Sequence, residues 1–236
     1  MKPLEQCRLY AFIDEAYRHS RPVEDLAKSL CDGGADIIQL RMKGAPTNEI
    51  LQAAERVYPI TETAGVHLVI NDHLEVAKKM PSSFLHLGQE DFFDQGNKHV
   101  SELAPHVKHT DLKVGLSTHA PNQATRAIRA GAAYIAIGPI FATPTKPDAK
   151  PVTLKYIQWA NANVTLPWFA IGGIHRDNVD AILEAGAQRI CVVSSILKAV
   201  RVDEACRFFR KKVDHGSRPP CHTHPDSDPS VPNRTQ

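Results

Sequence analysis

The residues with the most chemistry to offer fall into a few short clusters. Arg41, Lys43 and Lys146 are cations, Asp72 and Asp91 are carboxylates, and Ser117, Thr143 and Thr145 are hydroxyls. Three cations aimed at one place suit a diphosphate, because guanidinium and ammonium groups make charge-assisted hydrogen bonds to phosphate oxygens. Two carboxylates on successive loops, completed by phosphate oxygens and water, suit Mg2+ rather than zinc. Gly172-Gly173, with Val193-Ser194 further on, suits a monophosphate held by backbone N–H groups. A diphosphate with Mg2+ beside a monophosphate points to group transfer with pyrophosphate as the leaving group. No P-loop and no Ser-His-Asp arrangement offers a competing chemistry.

Each cluster alone has an ordinary explanation. Arg41 and Lys43 could be solvated charges, Asn71-Asp72 and Asp91 helix caps, and His86 and His119 packed or surface side chains. What sets the clusters apart is a shared position just after a short apolar run. Gln39, Arg41 and Lys43 follow one such run, and Asn71-Asp72, Gln89 and Asp91, Ser117, the Gly138–Lys146 loop, Gly172-Gly173 and Ser194-Ser195 follow others.

The elements that would position them read as follows. Strands are expected at Arg8–Ile13, Ala35–Leu40, Val66–Ile70, Phe84–Leu87, Leu112–Leu116, Ala132–Ile137, Trp168–Ile171 and Arg189–Val193. Helical spacing lies between most of them: Val23–Cys31, a segment with Thr47 as its cap that Pro59 should end or kink, a short helix through Lys78, Pro121–Ala130, Thr153–Ala162, Arg176–Ala185, and a last helix to about Val213. One phrase recurs, Gly34-Ala-Asp-Ile-Ile, Gly131-Ala-Ala-Tyr-Ile and Gly186-Ala-Gln-Arg-Ile, each placing a helix-capping glycine before a buried strand. Eight strands alternating with helices in this length favour a (β/α)8 TIM barrel over an open sheet, and no Gly-x-Gly-x-x-Gly follows the first strand. In such a barrel all the clusters converge on the rim at the strands' carboxyl ends, where barrel enzymes keep their active sites.

Bulk properties are those of a soluble, single-domain globular protein. The 236 residues are 42% hydrophobic and 23% charged with a formal net charge of +2, too small to argue for nucleic acid or an acidic membrane. No apolar run approaches the ~20 residues that span a bilayer, and the first residues lack a secretory core, so a cytoplasmic location is expected. Five cysteines without a CxxC pair read as reduced, packed thiols. The barrel is expected over residues 1–213, and the Pro- and His-rich tail 214–236 is expected to be disordered. Cys221, His222 and His224 within it lack the second ligand pair of a structural metal site. Self-association is left open.

Taken in order, Gln39-Leu-Arg-Met-Lys43, Ile70-Asn-Asp72, His86-Leu-Gly-Gln-Glu-Asp91, Gly115-Leu-Ser-Thr-His119, Gly138-Pro-Ile-Phe-Ala-Thr-Pro-Thr-Lys-Pro147, Ala170-Ile-Gly-Gly-Ile174 and Val192-Val-Ser-Ser-Ile196 resemble the thiamine phosphate synthase family over about residues 8–213. The resemblance implies condensation of 4-amino-2-methyl-5-pyrimidinylmethyl diphosphate with thiazole phosphate, giving thiamine phosphate and pyrophosphate. It implies that Gln39 and Asn71 contact the pyrimidine diphosphate, that Arg41, Lys43, Ser117 and Lys146 hold its phosphates, and that Asp72 and Asp91 ligate Mg2+. Thr143, Thr145, Gly173, Val193 and Ser194 would seat the thiazole phosphate. Met80-Pro-Ser-Ser-Phe84 departs from the family's usual turn before the fourth strand. Two rivals share the barrel: a thiazole tautomerase, which has no use for a diphosphate clamp or Mg2+, and a catalytically silent barrel binding a phosphorylated metabolite.

Overall fold

Eight apolar runs become eight parallel strands in a computed structural model of the chain: β1 (Leu9–Asp14), β2 (Ile37–Arg41), β3 (His67–Asn71), β4 (Phe84–Leu87), β5 (Lys113–Thr118), β6 (Tyr134–Ile137), β7 (Trp168–Ile171) and β8 (Ile190–Cys191). The structure describes residues 1–81, 84–103, 112–143, 145 and 149–216. Neighbours pair in sequence order, and β8 returns to β1 through Leu9↔Ile190 and Tyr10↔Cys191, closing the barrel. Around it lie α1 (Glu15–Arg18), α2 (Val23–Asp32), α3 (Thr47–Thr63), α4 (Leu74–Ala77), α5 (Gln89–Phe92), α6 (Pro121–Arg129), α7 (Thr153–Asn163), α8 (Val179–Glu184), α9 (Ser194–Leu197) and α10 (Val202–His215). Strands covered by helices outside and by side chains inside are buried on both faces, which is why their runs are continuously apolar.

Alternation along each strand decides what faces the interior. Successive side chains point to opposite faces, so Tyr10, Phe12 and Asp14 share one face of β1, as Gln39 and Arg41 share one of β2. The same two-residue step relates Gly115 to Ser117, and Tyr134 to Ala136. Phe12, Asp14, Gln39, Arg41, Ser117 and Ala136 all line a cavity at the carboxyl end of the barrel. The β1 series thus climbs from aromatic Tyr10 and Phe12 to a carboxylate, and the β5 series from Gly115 to a hydroxyl at the rim.

The repeated glycine phrase behaves as expected. Gly34, Gly131 and Gly186 take φ of 84°, 82° and 106°. The next residue's N–H in each case returns to a carbonyl five positions back: Ala35 to Leu30, Ala132 to Ala127, Ala187 to Ile182. Val66 to Thr61 repeats the closure before β3.

Elsewhere the local reading needs correction. Thr47 is the first residue of α3, and Pro46 is its cap. Pro59 does not end α3. Ile50, Ala53, Ala54, Val57 and Thr61 keep one buried face across it, while Pro59 is exposed and the carbonyl it deprives belongs to exposed Glu55. The helix expected from Arg176 begins at Val179, because residues from 175 form a turn in which Asn178 Oδ1 accepts the His175 N–H at 2.8 Å. The last helix, expected to about Val213, is two, α9 and α10, and α10 ends at His215. The strand expected over Arg189–Val193 pairs only at Ile190–Cys191. Residues 217–236, and with them Cys221, His222 and His224, lie outside the described residues.

At the amino end of the barrel, Asp36 ties distant parts together. Its carboxylate, 5% exposed, accepts from Lys2 Nζ at 2.5 Å, from the N–H groups of Arg8 (2.8 Å) and Leu9 (3.2 Å), and from Arg210 of α10. Burial alone would raise its pKa. The Lys2 hydrogen bond, the two N–H groups and Arg210 outweigh burial and hold it below the ordinary carboxylate value.

Candidate active site

The cavity gathers the predicted residues from opposite arcs of the rim. Gln39, Arg41, Asn71 and Ser117 line one side, and Thr143, Thr145, Gly173, Val193 and Ser194 line the other. Lys43, Asp72 and Asp91 are exposed and stand outside the lining. They nonetheless belong to the Arg41 side: the Asp72 carboxyl feels the charges of Asp91, Arg41 and Lys43. Lys146, with Pro144 and Pro147, lies outside the described residues.

Arg41 is fixed by a residue that sequence inspection passed over. Asp14 ends β1 directly opposite Arg41 in the β1–β2 register, is 1% exposed, and accepts from Arg41 Nη1 at 2.8 Å. Its other oxygen caps α1 by accepting the Ala16 N–H at 3.0 Å. One buried carboxylate thus orients the guanidinium at the cavity wall. The available signal was an acid and a base at the ends of consecutive strand runs, which needs the register to become a pair.

A second set came from the interior. His86, 7% exposed, contacts Ser117 Oγ through Nε2 at 2.9 Å and Tyr134 Oη through Nδ1 at 3.1 Å. Gln39 Nε2 donates to Tyr10 Oη at 2.7 Å. His86, which the sequence suggests is a packed or surface side chain, is packed and also lines the cavity. His119 lines it too, with Nδ1 against the Gly138 carbonyl.

The opposite arc is a pair of interlocked loops. Ile140 N–H donates to Ile171 O (2.9 Å) and Phe141 N–H to Gly172 O (3.1 Å). A Cβ on Gly173 would fall 2.6 Å from the Ala142 carbonyl oxygen and 2.8 Å from Phe141 Cβ, so only glycine lets these backbones meet. Asn178 Nδ2 donates to Gly173 O at 2.8 Å, and Ser195 Oγ to Ile174 O at 2.6 Å, fastening the turn to the start of α9. Thr145 Oγ1 lies 2.9 Å from Tyr17 Oη, and the Thr145 N–H reaches Thr143 Oγ1 at 3.3 Å. Loop N–H groups here and those of Ser194 and Ser195, the first two residues of α9, suit a monophosphate, whereas the Ile196 and Leu197 N–H groups already donate to Val193 O.

For a metal, the donor set is two carboxylates. Loss of hydration raises the Asp72 pKa first, and the Asp91 charge raises it further, against Asn71, Arg41 and Lys43. Asp91 accepts the Gly88 N–H at 3.2 Å. Two mutually repelling carboxylates gain from a shared dication, and Mg2+ characteristically takes one or two carboxylates with phosphate oxygens and water. The residues therefore fit Mg2+ shared with a phosphorylated ligand. Among the described residues no group of three or more His, Cys, Asp or Glu could hold a metal by itself.

Four cysteines among the described residues, Cys7, Cys31, Cys191 and Cys206, are unpaired thiols. Burial pushes Cys7 and Cys206 up to about 12 and Cys31 to about 11, so these stay protonated and serve as packing. No helix among the described residues is long and apolar enough to cross a membrane.

Comparison with known proteins bears on the whole arrangement. A family model described as thiamine monophosphate synthase matches residues 9–196. The thiamine-phosphate synthase of Shouchella clausii is 36% identical over 222 residues, covering 92% of this chain and all of the relative. That of Halalkalibacterium halodurans is 38% identical over 203 residues, covering 86% and 93%. The structure of a thiamine phosphate pyrophosphorylase from Pyrococcus furiosus superposes with a TM-score of 0.80 at 28% identity, covering 92% of this chain and all of that one. A geranylgeranylglyceryl phosphate synthase from Thermoplasma acidophilum (TM-score 0.65, 14% identical, covering 90% and 95%) shares the fold alone.

Proposed function

The chain belongs to the thiamine monophosphate synthase family, a family of transferases, and from that premise we propose how its residues divide the reaction. The observation that carries the proposal is the single cavity lined by Gln39, Arg41, Asn71 and Ser117 on one arc and by Thr143, Thr145, Gly173, Val193 and Ser194 on the other. The first arc takes the pyrimidine diphosphate, with Gln39 and Asn71 at the ring and Arg41, Lys43, Ser117 and Lys146 at the phosphates. The second takes the thiazole phosphate. Asp72 and Asp91 hold Mg2+, which when bound neutralises charge on the diphosphate oxygens.

The reaction is dissociative. Arg41, Lys43 and Lys146 place fixed positive charge beside the departing pyrophosphate, where negative charge accumulates, and Asp14 keeps Arg41 from having to reorganise. The aminopyrimidine's own electron release supports a methylene cation. Thr143, Thr145 and the Gly173 and Ser194 turns hold the thiazole so that its nitrogen captures that cation, and positioning replaces a protein nucleophile. The barrel is the catalytic unit, acting on small molecules in the cytoplasm.

The test is pyrophosphate release. Release requiring both substrates and Mg2+ is expected. An Asp91→Ala variant should need at least about tenfold more Mg2+ for half-maximal rate, as loss of a metal's supporting groups commonly produces, and an unchanged titration would remove Asp91 as a ligand. Binding of thiazole phosphate without any release would turn the assignment to a tautomerase or a silent barrel.

A further inference from the structure

A file of hydrogen-bonded side chains crosses the barrel interior beneath the cavity. Gln39 Nε2 reaches Tyr10 Oη (2.7 Å), Tyr10 Oη reaches Tyr134 Oη (3.0 Å), Tyr134 Oη reaches His86 Nδ1 (3.1 Å), and His86 Nε2 reaches Ser117 Oγ (2.9 Å). The members come from β2, β1, β6, β4 and β5. Gln39, His86 and Ser117 line the cavity; the two tyrosines, 1% and 0% exposed, do not. Burial pushes both phenols far above their ordinary pKa, so they pass hydrogen bonds along without losing protons. Gly115 makes room for the file, since a Cβ there would lie 2.0 Å from Tyr134 Cζ.

Such a file can be ordered in only two ways. A phenol and a neutral imidazole each bring one hydrogen, so every link must point the same way or leave a buried oxygen or nitrogen facing its own kind. If Ser117 donates to His86, then His86 Nδ1–H donates to Tyr134, Tyr134 to Tyr10, and Tyr10 to the Gln39 amide oxygen. If Ser117 keeps its hydrogen for the cavity, each link reverses: Gln39 donates to Tyr10, Tyr10 to Tyr134, Tyr134 to His86 Nδ1, and His86 Nε2–H to Ser117.

Phosphate oxygens only accept hydrogen bonds, which selects the second order wherever Ser117 meets a diphosphate. We propose that Tyr10 and Tyr134 are positioning residues that couple the two ends of the pyrimidine diphosphate site. Through them, a donating Ser117 hydroxyl at the diphosphate and a free Gln39 amide oxygen at the pyrimidine ring require each other. The inference rests on the diphosphate lying at Ser117 as set out under the proposed function. It goes further in making recognition of the ring and activation of the leaving group one property.

The test combines a spectrum with kinetics. In protein labelled with 15N-histidine, with Mg2+ and pyrophosphate bound and the His86 signals identified by their loss in His86→Asn, His86 should be protonated at Nε2 alone. Tyr134→Phe, which keeps the ring, should mix the tautomers. Protonation at Nδ1 in the parent protein, as a neutral ring or as imidazolium, or an unchanged signal in Tyr134→Phe, overturns the proposal. In turnover, Tyr134→Phe should lower kcat about tenfold, the scale of one hydrogen bond to a charged group, with KM for thiazole phosphate unchanged. On a Ser117→Ala background the same change should lower kcat less than about twofold, because coupled residues are not additive; a full additional loss overturns the proposal. Should Tyr134→Phe not fold, Tyr10→Phe serves at the other end, where loss of the Gln39 partner should raise KM for the pyrimidine diphosphate; an unchanged KM counts against the file. Unaltered turnover in Ser117→Ala would refute the placement of the diphosphate, and with it the proposal, whatever the tautomer.

Discussion

At the scale of single residues, the cavity depends on side chains that hold other side chains in place. Asp14 is the clearest case: one oxygen holds Arg41 and the other caps α1. Asp14→Asn preserves a capping oxygen but removes the ion pair. We expect kcat/KM for the pyrimidine diphosphate to fall on the order of tenfold, as for other charge-assisted pairs, with circular dichroism unchanged; steady-state kinetics equal to the parent would remove Asp14 from the site. The residues proposed to face substrate, from Gln39 to Ser194, were visible in the sequence because each lies at or just after the end of an apolar run. Asp14, Tyr10 and Tyr134 were not, because they lie inside runs read as core or at a strand end, and their partners are set by register across strands. Nothing local in Tyr134-Ile-Ala-Ile137 says that its first side chain meets one from residue 10.

At the scale of elements, the sequence announced turns better than helix limits. The Gly-Ala phrase predicted three of the helix-to-strand turns because the left-handed cap is a local requirement. Pro59 does not end α3 because the buried stripe of α3, decided by packing, outweighs one missing hydrogen bond on the exposed side. The interlocked loops at Gly138–Ala142 and Ile171–Gly173 lie between these extremes: the glycines were visible, the reason for them was not. At Gly173, φ is 65° and a side chain has no room. Gly173→Ala should cost about 1–3 kcal/mol and raise KM for thiazole phosphate more than that for the pyrimidine diphosphate. Thermal melting and the two KM values check this, and equal effects on both substrates would argue against the division of the cavity.

At the scale of the whole molecule, the fold is held at the end away from the chemistry by Asp36, which joins Lys2, the start of β1 and α10. Asp36→Ala leaves the Arg8 and Leu9 N–H groups without an acceptor while Arg210 keeps Asp214, and should destabilise by about 1–3 kcal/mol, lowering Tm by about 5 °C for a chain of this size, with kcat intact below the transition. The sign with pH follows from its lowered pKa. The contribution is complete above the ordinary carboxylate value of about 3.9 and disappears as pH falls through the lower folded value. Melting curves at pH 7 and pH 3 should therefore differ less in the variant than in the parent, and an equal difference would exclude Asp36 as an acid-labile tie. The eight-strand barrel was legible from strand count and helix spacing, whereas this tie was not, since it joins residues 2, 36 and 210.

The closure of the barrel has a consequence for how the chain is made. β8 joins β1 through only two residue pairs, and the turns at Gly173 and Ser194 that complete the cavity come from the same late part of the chain. During synthesis, then, β1 must wait with an unpaired edge until residue 191 has left the ribosome, and such edges invite association with other chains. Until that moment the arc proposed to clamp the diphosphate has no second arc facing it. Catalytic competence arrives late and all at once, with the strand that removes the last open edge.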